Sequence, residues 1–370
     1  MLGPEAQHAP AYFPFAGAFS RAAFLHLLLE LGPDFTGTMN FGGGPLTASG
    51  IYDAFVAKLD GAGNHLFSRR FGDSSPQSTE GVAVNDVGEV LVTGSFAGAI
   101  SLGGPTLTSV GSNDVFVAKL NSSGDHIWSH RYGGSSSDVA TAISVDGSGS
   151  VIVCGIFKGS VDFGKGPLVS AGGSDLFVLK LDADGNPLWS NRYGDKFDQS
   201  SPAQLAVDGS GNVILVGGFY GTISFGGSTL TDASDSADDF YVTKLDPFGG
   251  HVWSKSYGDA DAQSSIHAAV DAVDNILLTG DLRGTVNFGG GALTSAGDSD
   301  VFVVKLDPAG KHLWGRRFGD VQPQYGRAIA GYGADTAFVA GGFVSTIDFG
   351  SGPIAAQGLQ DIFLAKLLTP

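Results

Sequence analysis

Cysteine is almost absent from this sequence. Cys154 is the single cysteine among 370 residues, so the chain can form neither an internal disulfide nor a zinc site built from cysteines. Thiol usage therefore does not indicate a redox compartment. Cys154 takes the position that Thr93, Val216 and Thr279 occupy in related segments, which predicts a small buried core residue rather than a reactive thiol.

Basic residues are also scarce. The chain has 20 Lys and Arg against 37 Asp and Glu, a formal net charge of −17. A field of this sign repels phosphate groups and anionic membrane surfaces. The composition therefore excludes nucleic acid as an expected partner.

Long apolar runs are missing. The most apolar stretch near the start, Ala22 to Leu31, is interrupted by His26 and Glu30 and is too short to cross a bilayer. No membrane insertion is expected. The first basic residue is Arg21, so no signal peptide is recognised, and a cytoplasmic location stays open. Residues 1–31 are predicted to form an irregular N-terminal segment.

Glycine and aromatic residues are abundant. There are 58 glycines and 26 phenylalanines, and 42% of the residues are hydrophobic. This apolar content is too high for a disordered chain, while the glycines indicate frequent turns. The sequence therefore predicts a globular fold with many short elements.

A repeated segment decides the fold class. The pattern Asp-x-Phe/Tyr-x-x-Lys-Leu recurs with spacings of 61, 61, 64, 61 and 61 residues, starting at Asp53, Asp114, Asp175, Asp239, Asp300 and Asp361. Units of this size that cannot bury their own faces are typical of solenoids, propellers and arrays.

Each unit contains four strand-like stretches and no helical periodicity. In the second unit they are Asp114 to Leu120, His126 to Gly133, Thr141 to Asp146 and Val151 to Phe157. Short glycine-rich turns join them in antiparallel pairs, and both faces of the first stretch are apolar, so both must be covered. Four buried antiparallel strands per unit predict the blades of an all-β propeller.

The number of blades follows less directly. Six Asp-starting strands but five Trp-type strands are present, and we favour six blades, with five, seven or an open arc as alternatives. Residues 10–34 are long enough for two inner strands of a first blade, and Tyr12 to Phe19 is predicted to close the ring on the last blade, although Ala22 to Leu31 fits a helix as well as a strand. Residues 32–370 are predicted to be one propeller domain.

These motifs resemble the SBBP family of bacterial β-propeller repeats. The resemblance rests on Asp300-Val-Phe-Val-Val-Lys-Leu-Asp, on His312-Leu-Trp-Gly-Arg-Arg-Phe-Gly and on the Val-Asp-Gly-Ser-Gly-Asn turn at 207–212, and it covers about residues 34 to 367. It implies a secreted or surface-attached bacterial protein that acts as a binding or structural module rather than as an enzyme. The first 30 residues depart from the family pattern.

Residues that recur from unit to unit point in different directions and are interpreted as structural. They are six lysines, four histidines and four tryptophans: Lys58, Lys119, Lys180, Lys244, Lys305 and Lys366; His65, His126, His251 and His312; Trp128, Trp189, Trp253 and Trp314. The Asp and Lys of each strand are expected to bind turn amides and acceptors within the fold, and the Trp to wedge between blades.

One repeated pair is a candidate ligand site. After the outer strand, most units carry an Asp and a Gln four residues apart in a loop that leads into the innermost strand, which would arrange carboxylates and amides around one mouth of the channel. The alternative is that these side chains bind the backbone of their own loop. The residues are Asp73, Gln77, Asp138, Asp195, Gln199, Asp259, Gln263, Asp320 and Gln324.

A second candidate is an acidic loop in the longest unit. Asp232, Asp235 and Asp238 could hold a hard cation such as calcium through carboxylate oxygens, against the interpretation as a solvated loop. No other cofactor is indicated. The histidines have no metal-ligand spacing, and the glycine motifs lack the lysine of a phosphate-binding loop.

The sequence thus predicts a non-catalytic binding or scaffold propeller at or outside the bacterial cell surface, with a protein or glycan as ligand. One alternative is a glycan-active hydrolase or lyase at the channel mouth, which would need a carboxylate pair that the sequence does not reveal. The other is a purely structural surface repeat. The sequence leaves the oligomeric state open.

Overall fold

The computed structural model describes residues 35–199, 203–233, 238–261, 263 and 265–369, and these residues form strands and turns without a helix. The first ten strands are β1 (Thr38–Asn40), β2 (Pro45–Thr47), β3 (Ala54–Leu59), β4 (His65–Phe71), β5 (Gln77–Val84), β6 (Val90–Phe96), β7 (Ala99–Ile100), β8 (Leu107–Thr108), β9 (Asp114–Leu120) and β10 (His126–Tyr132). The next ten are β11 (Val139–Val145), β12 (Val151–Asp162), β13 (Pro167–Leu181), β14 (Pro187–Tyr193), β15 (Gln204–Val207), β16 (Val213–Phe219), β17 (Thr222–Ile223), β18 (Leu230–Thr231), β19 (Asp239–Leu245) and β20 (His251–Tyr257). The remainder are β21 (Ser265–Val270), β22 (Ile276–Leu282), β23 (Thr285–Asn287), β24 (Ala292–Thr294), β25 (Asp300–Leu306), β26 (His312–Phe318), β27 (Gln324–Tyr332), β28 (Thr336–Phe343), β29 (Thr346–Ile347), β30 (Ile354–Ala355) and β31 (Asp361–Leu368).

Each repeat contributes its long strands to one antiparallel sheet. Four sheets have four strands, in the spatial orders β5-β6-β9-β10, β11-β12-β13-β14, β15-β16-β19-β20 and β21-β22-β25-β26. The fifth has three strands, β27-β28-β31. The first strands of successive sheets contact one another, from β5 through β11, β15 and β21 to β27, so the sheets converge on this inner side. This arrangement is the propeller that the repeat predicts.

The described residues therefore form five blades, and the favoured count of six is wrong; five was among the alternatives. A two-stranded sheet, β3-β4, precedes the first blade and corresponds to the outer half of a unit. Blade number depends on how neighbouring sheets pack rather than on a local pattern, so counting motifs could not decide it. The predictions for residues 1–31, including closure by Tyr12 to Phe19, lie outside the described residues.

The core consists of five apolar layers, one between each pair of successive sheets. The layer between the second and third blades, for example, combines Cys154 and Val178 from one sheet with Leu215 and Tyr241 from the next. Neither face of a central blade is left to solvent, which explains why strands such as β9 are buried at all seven positions. Cys154 is fully buried, as predicted, and burial raises the pKa of its thiol to about 12.

The long connection after the second strand of a blade forms a short hairpin, such as β7-β8 or β23-β24. It packs along the outer strand of its own blade. At Gly104 a Cβ atom would lie 2.3 Å from the ring of His126, so only glycine allows this contact. The recurring histidine is thus a packing residue, and His126 also shares a hydrogen bond with Ser129 at 3.0 Å.

Candidate functional site

The candidate ligand residues lie in the loops that join the outer strand of one unit to the inner strand of the next. We call these the latch loops: residues 72–77, 133–138, 194–199, 258–263 and 319–324. Because every sheet has the same strand order, the latch loops all lie at the same end of the sheets. We call this end of the sheets the rim.

In the first latch loop, Asp73 and Gln77 bind each other and the surrounding backbone. The Gln77 amide nitrogen donates to Asp73 Oδ1 at 2.8 Å and to the carbonyl of Ala97 at 3.3 Å, while Asp73 N donates to Gln77 Oε1 at 3.2 Å. Asp73 Oδ2 accepts from the backbone of Ala99 at 3.2 Å. The pair therefore connects the loop to the hairpin β7-β8.

The same arrangement recurs in three other loops. Gln199, Gln263 and Gln324 donate to Asp195, Asp259 and Asp320 at 3.4, 3.4 and 2.8 Å. The second carboxylate oxygen of each Asp accepts from a threonine of the following hairpin: Thr222, Thr285 and Thr346. The four glutamines are exposed by 1% or less, so their amides face the loops and not the rim.

The divergent second loop achieves the same connection with a carboxylate. Asp138 stands at the glutamine position and accepts from Gly134 N at 2.8 Å and from Lys158 N at 3.1 Å. Burial raises its pKa, while the two amide hydrogen bonds act in the opposite direction. Asp138 thus accepts two hydrogen bonds, whereas Gln77 donates two and accepts one. The role of these nine residues as ligand contacts stays a prediction.

A second carboxylate in each unit lies just beneath the latch loop. The Asp of the repeated Asp-x-Phe/Tyr pattern is fully buried and pairs with an arginine of the outer strand at 2.5 to 2.6 Å in four units: Asp53 with Arg70, Asp114 with Arg131, Asp175 with Arg192 and Asp300 with Arg317. This arginine is not among the site residues predicted from the sequence. The signal was available, because an arginine recurs two residues before the glycine that ends the outer strand.

The fourth unit breaks this rule. Ser256 replaces the arginine, and Asp239 keeps one hydrogen bond, from Ala233 N at 2.8 Å, while its buried Oδ1 has no partner among the described residues. Burial, together with the negative charges of Asp232, Asp259 and Asp238, raises the pKa of Asp239 to about 6. The carboxylates of Asp232, Asp238 and Asp259 thus concentrate negative charge around Asp239.

This acidic loop was the predicted cation site. Asp232 Oδ2 accepts from Gly221 N at 2.7 Å, which fixes it to the backbone, and Asp235 lies outside the described residues. Within the described part of the chain, no three His, Cys, Asp or Glu side chains are grouped as metal ligands. Calcium binding stays a prediction.

The tips of the latch loops differ from unit to unit. The residue two positions after the first Asp is Ser75, Phe197, Asp261 or Gln322. In the third loop, Phe197 packs edge-on against Tyr220 with ring centres 5.3 Å apart, and the ammonium of Lys196 lies 4.9 Å from the Phe197 ring. A constant hydrogen-bonded frame thus carries variable side chains at its tips.

Comparisons with known proteins give partial likenesses. No family model matches the chain. It is 28% identical over 237 residues to the regulatory protein FlaEY of Caulobacter vibrioides, covering 61% of this chain and 24% of that protein. It is 26% identical over 189 residues to the uncharacterized WD repeat-containing protein L264 of Acanthamoeba polyphaga mimivirus, covering 45% of this chain and 14% of that protein. The matched region thus spans a quarter or less of these relatives.

Among solved structures, the chain is similar to the WD40 domain of Neurospora crassa Pan2, with 12% sequence identity and a TM-score of 0.26. The match covers 72% of this chain and 86% of that one. The propeller assignment made above depends on the strand pairing of this chain itself. Among the described residues, no helix has the length and apolar character needed to cross a membrane.

Proposed function

We propose that this protein is a non-catalytic binding or scaffold propeller that uses the rim of latch loops to bind a partner. One observation carries the proposal: the Asp and Gln side chains of these loops hold the rim in place, while the exposed residues between them vary. Rigid frames with variable loop tips are how many binding proteins present specific contacts. The proposal includes the extracellular or cell-surface location that the SBBP resemblance implies.

The third latch loop is the proposed centre of the binding surface. Lys196 is exposed and Phe197 is half-buried against Tyr220, so an aromatic pair and a cation stand together at one place on the rim. Aromatic residues held in place by neighbours contribute strongly to protein interfaces because they lose little conformational entropy on binding. We therefore favour a protein partner over a glycan.

An enzymatic role is less well supported. A glycan-active enzyme needs a carboxylic acid with a raised pKa that can reach its substrate. Asp138 and Asp239 have raised pKa values, but their exposed fractions are 1% and 3%. These two groups are therefore poorly placed for proton transfer to a bound sugar.

The test is binding to the purified chain and to a loop variant. Bacterial surface proteins, cell-wall fragments, oligosaccharides and divalent cations are presented to the wild type and to the double variant Lys196→Ser and Phe197→Ser, with thermal melting and pull-down as readouts. A bound ligand at 100 times its dissociation constant stabilises by about 2.7 kcal/mol. We expect a protein to bind the wild type and to bind the loop variant at least tenfold more weakly.

The matched control is Val87→Ser, since Val87 is exposed in a turn at the opposite end of the sheets. Equal binding by wild type, loop variant and control would contradict a role for this rim. Turnover of an oligosaccharide would contradict the non-catalytic assignment.

A further inference from the structure

Among the described residues, the last strand, β31, has no partner on its outer side. In each of the four complete blades, and in the sheet β3-β4, the Asp-starting strand pairs with an outer strand. In the fifth blade the corresponding strand β31 pairs only with β28 among the described residues. Every second residue of the eight-residue strand β31 thus presents a backbone donor and acceptor on the outer side.

The face of β31 that looks away from the fourth blade is also uncovered. Ile362 and Leu364 are exposed by 69% and 37%, while Val301 and Val303, at the same positions of the preceding blade, are at 0%. In the complete blades these positions are covered by the next blade and by aromatic residues of the outer strand, such as Tyr132. The apolar side chains on β31 are therefore those of a blade interface that lacks one side.

The carboxylate that begins β31 has fewer partners among the described residues than its counterpart in the fourth blade. Asp361 is partly exposed and accepts from Gln357 N at 2.6 Å, whereas Asp300 at the same position is fully buried and also pairs with Arg317. Within the described part of the chain, no arginine contacts Asp361. The carboxylate therefore lies where four sister units supply a guanidinium from the outer strand.

We propose that the outer edge of β31 binds an extended segment of a partner protein with the chemistry of an outer strand: an aromatic residue and, three residues later, an arginine followed by a second aromatic residue. The register of the second blade defines the contacts, since Trp128, Arg131 and Tyr132 lie opposite Lys119, Phe116 and Val115. On β31 these positions are Lys366, Phe363 and Ile362.

This register gives the bound segment three separate stabilising interactions. The backbone of the bound segment continues the sheet, which is strand addition to an exposed edge. The arginine reaches Asp361 on one face, and charge-assisted hydrogen bonds of this kind are about twice as strong as neutral ones. The two aromatic rings cover Ile362 and Leu364 on the opposite face. The edge of β31 is separate from the latch loops. The proposal for β31 can therefore fail while the proposed function of the rim holds, and the reverse is also possible.

The experiment measures binding of a labelled peptide to the full chain by fluorescence polarisation. The peptide has the sequence of residues 187–194, Pro-Leu-Trp-Ser-Asn-Arg-Tyr-Gly, an outer strand of this protein. We expect saturable binding that Asp361→Asn weakens about tenfold or more, because the arginine loses its charged partner. The peptide change Arg192→Ala should weaken binding equally, and combining the two changes should cost no more than either alone.

Two further protein variants complete the design. Asp348→Asn removes the same charge from an exposed loop of the same blade, where Asp348 accepts from Gly350 N and Gly352 N, and it should leave binding unchanged. Leu364→Lys changes an exposed position and should abolish binding while the chain stays folded. Absence of saturable binding, or binding that ignores Asp361→Asn and Leu364→Lys, overturns the proposal. A concentration-dependent dimer in sedimentation, lost in Leu364→Lys and without peptide binding, would overturn it in favour of a second copy.

Discussion

Asp239 shows how one substitution among repeats changes the electrostatics of a unit. Four sister aspartates have a paired arginine, while Ser256 leaves Asp239 buried with one amide donor. Its pKa of about 6 lies above the ordinary value of 3.8, so the folded state holds this proton more tightly than the unfolded state does. Stability should therefore fall as the pH rises from about 4 to about 6.

The first prediction follows from the direction of this pKa shift. A shift of roughly two pKa units corresponds to about 3 kcal/mol of stability lost by pH 7. Asp239→Asn should be more stable than the wild type at pH 7 by up to that amount and equal to it near pH 4, as measured by urea unfolding. Ser256→Arg should give a similar gain at pH 7 by supplying the missing guanidinium. Equal stability of all three proteins across this pH range would contradict the assignment.

The second prediction concerns the latch loop at residues 319–324. Gln324 donates to Asp320 at 2.8 Å and accepts from the Asp320 amide at 3.1 Å, and it is fully buried. Gln324→Ala removes both hydrogen bonds and should lower the free energy of unfolding by about 1 to 3 kcal/mol. Gln322→Ala, two residues earlier and exposed, should change it by less than about 0.5 kcal/mol.

The same pair of variants tests the ligand role of the latch residues. Loss of stability without loss of ligand binding supports a structural role for Gln324. Loss of binding at unchanged stability would instead make it a ligand contact. The sequence could supply both hypotheses because Asp and Gln recur at a fixed spacing, but it could not show that the amide points inward.

The strands themselves were largely predictable. β9 runs from Asp114 to Leu120, as the repeat indicates, and the predicted stretch Val151 to Phe157 is the first part of β12. Alternating apolar residues and glycine turns are local signals, so a single sequence contains them. The short hairpins such as β7-β8 were missed because two-residue strands have no periodicity to detect.

The recurring lysine links neighbouring blades, whereas the sequence predicted only that it would find an acceptor within the fold or extend to solvent. Lys180 binds Asp146 of its own blade at 2.9 Å and donates to the carbonyl of Pro247 in the next blade at 3.3 Å. The indole of Trp189 donates to that same carbonyl at 3.0 Å. Lys119 and Trp128 form the equivalent contacts with Ala183, so the arrangement belongs to the element and not to one unit.

The third prediction uses the last lysine as an internal control. Lys180→Met leaves Asp146 without its cation in a buried setting and should cost about 3 to 5 kcal/mol. Lys366 occupies the same strand position but is exposed, so Lys366→Met should change stability by less than about 0.5 kcal/mol. Chemical denaturation of the two variants gives both values. Similar losses in the two would mean that Lys366 also lies in an interface.

At the scale of the whole molecule, the free energy of unfolding should be the sum of similar contributions from the apolar layers between sheets. Five apolar layers connect the five blades and the preceding sheet β3-β4, and each contacts only its neighbours. Repeat proteins of this kind lose structure first where a unit lacks a neighbour. The number of blades and the state of the last face were not predictable from sequence, because both depend on packing between distant units.

The last prediction is that β31 exchanges its backbone hydrogens faster than the equivalent strand of the fourth blade. β25 is buried at every position and pairs on both sides, with β22 and β26, whereas β31 alternates buried and exposed residues and pairs with β28 alone among the described strands. Amides with one hydrogen-bonded neighbour open at a lower free energy than those in the middle of a sheet. Hydrogen exchange followed by mass spectrometry, on peptides that cover 300–306 and 361–368, should show protection of the first and rapid exchange of the second. Addition of the outer-strand peptide should slow exchange in 361–368 and leave 300–306 unchanged, since only the open edge gains a partner. Equal protection of the two strands in the free protein would mean that the edge of β31 is already covered.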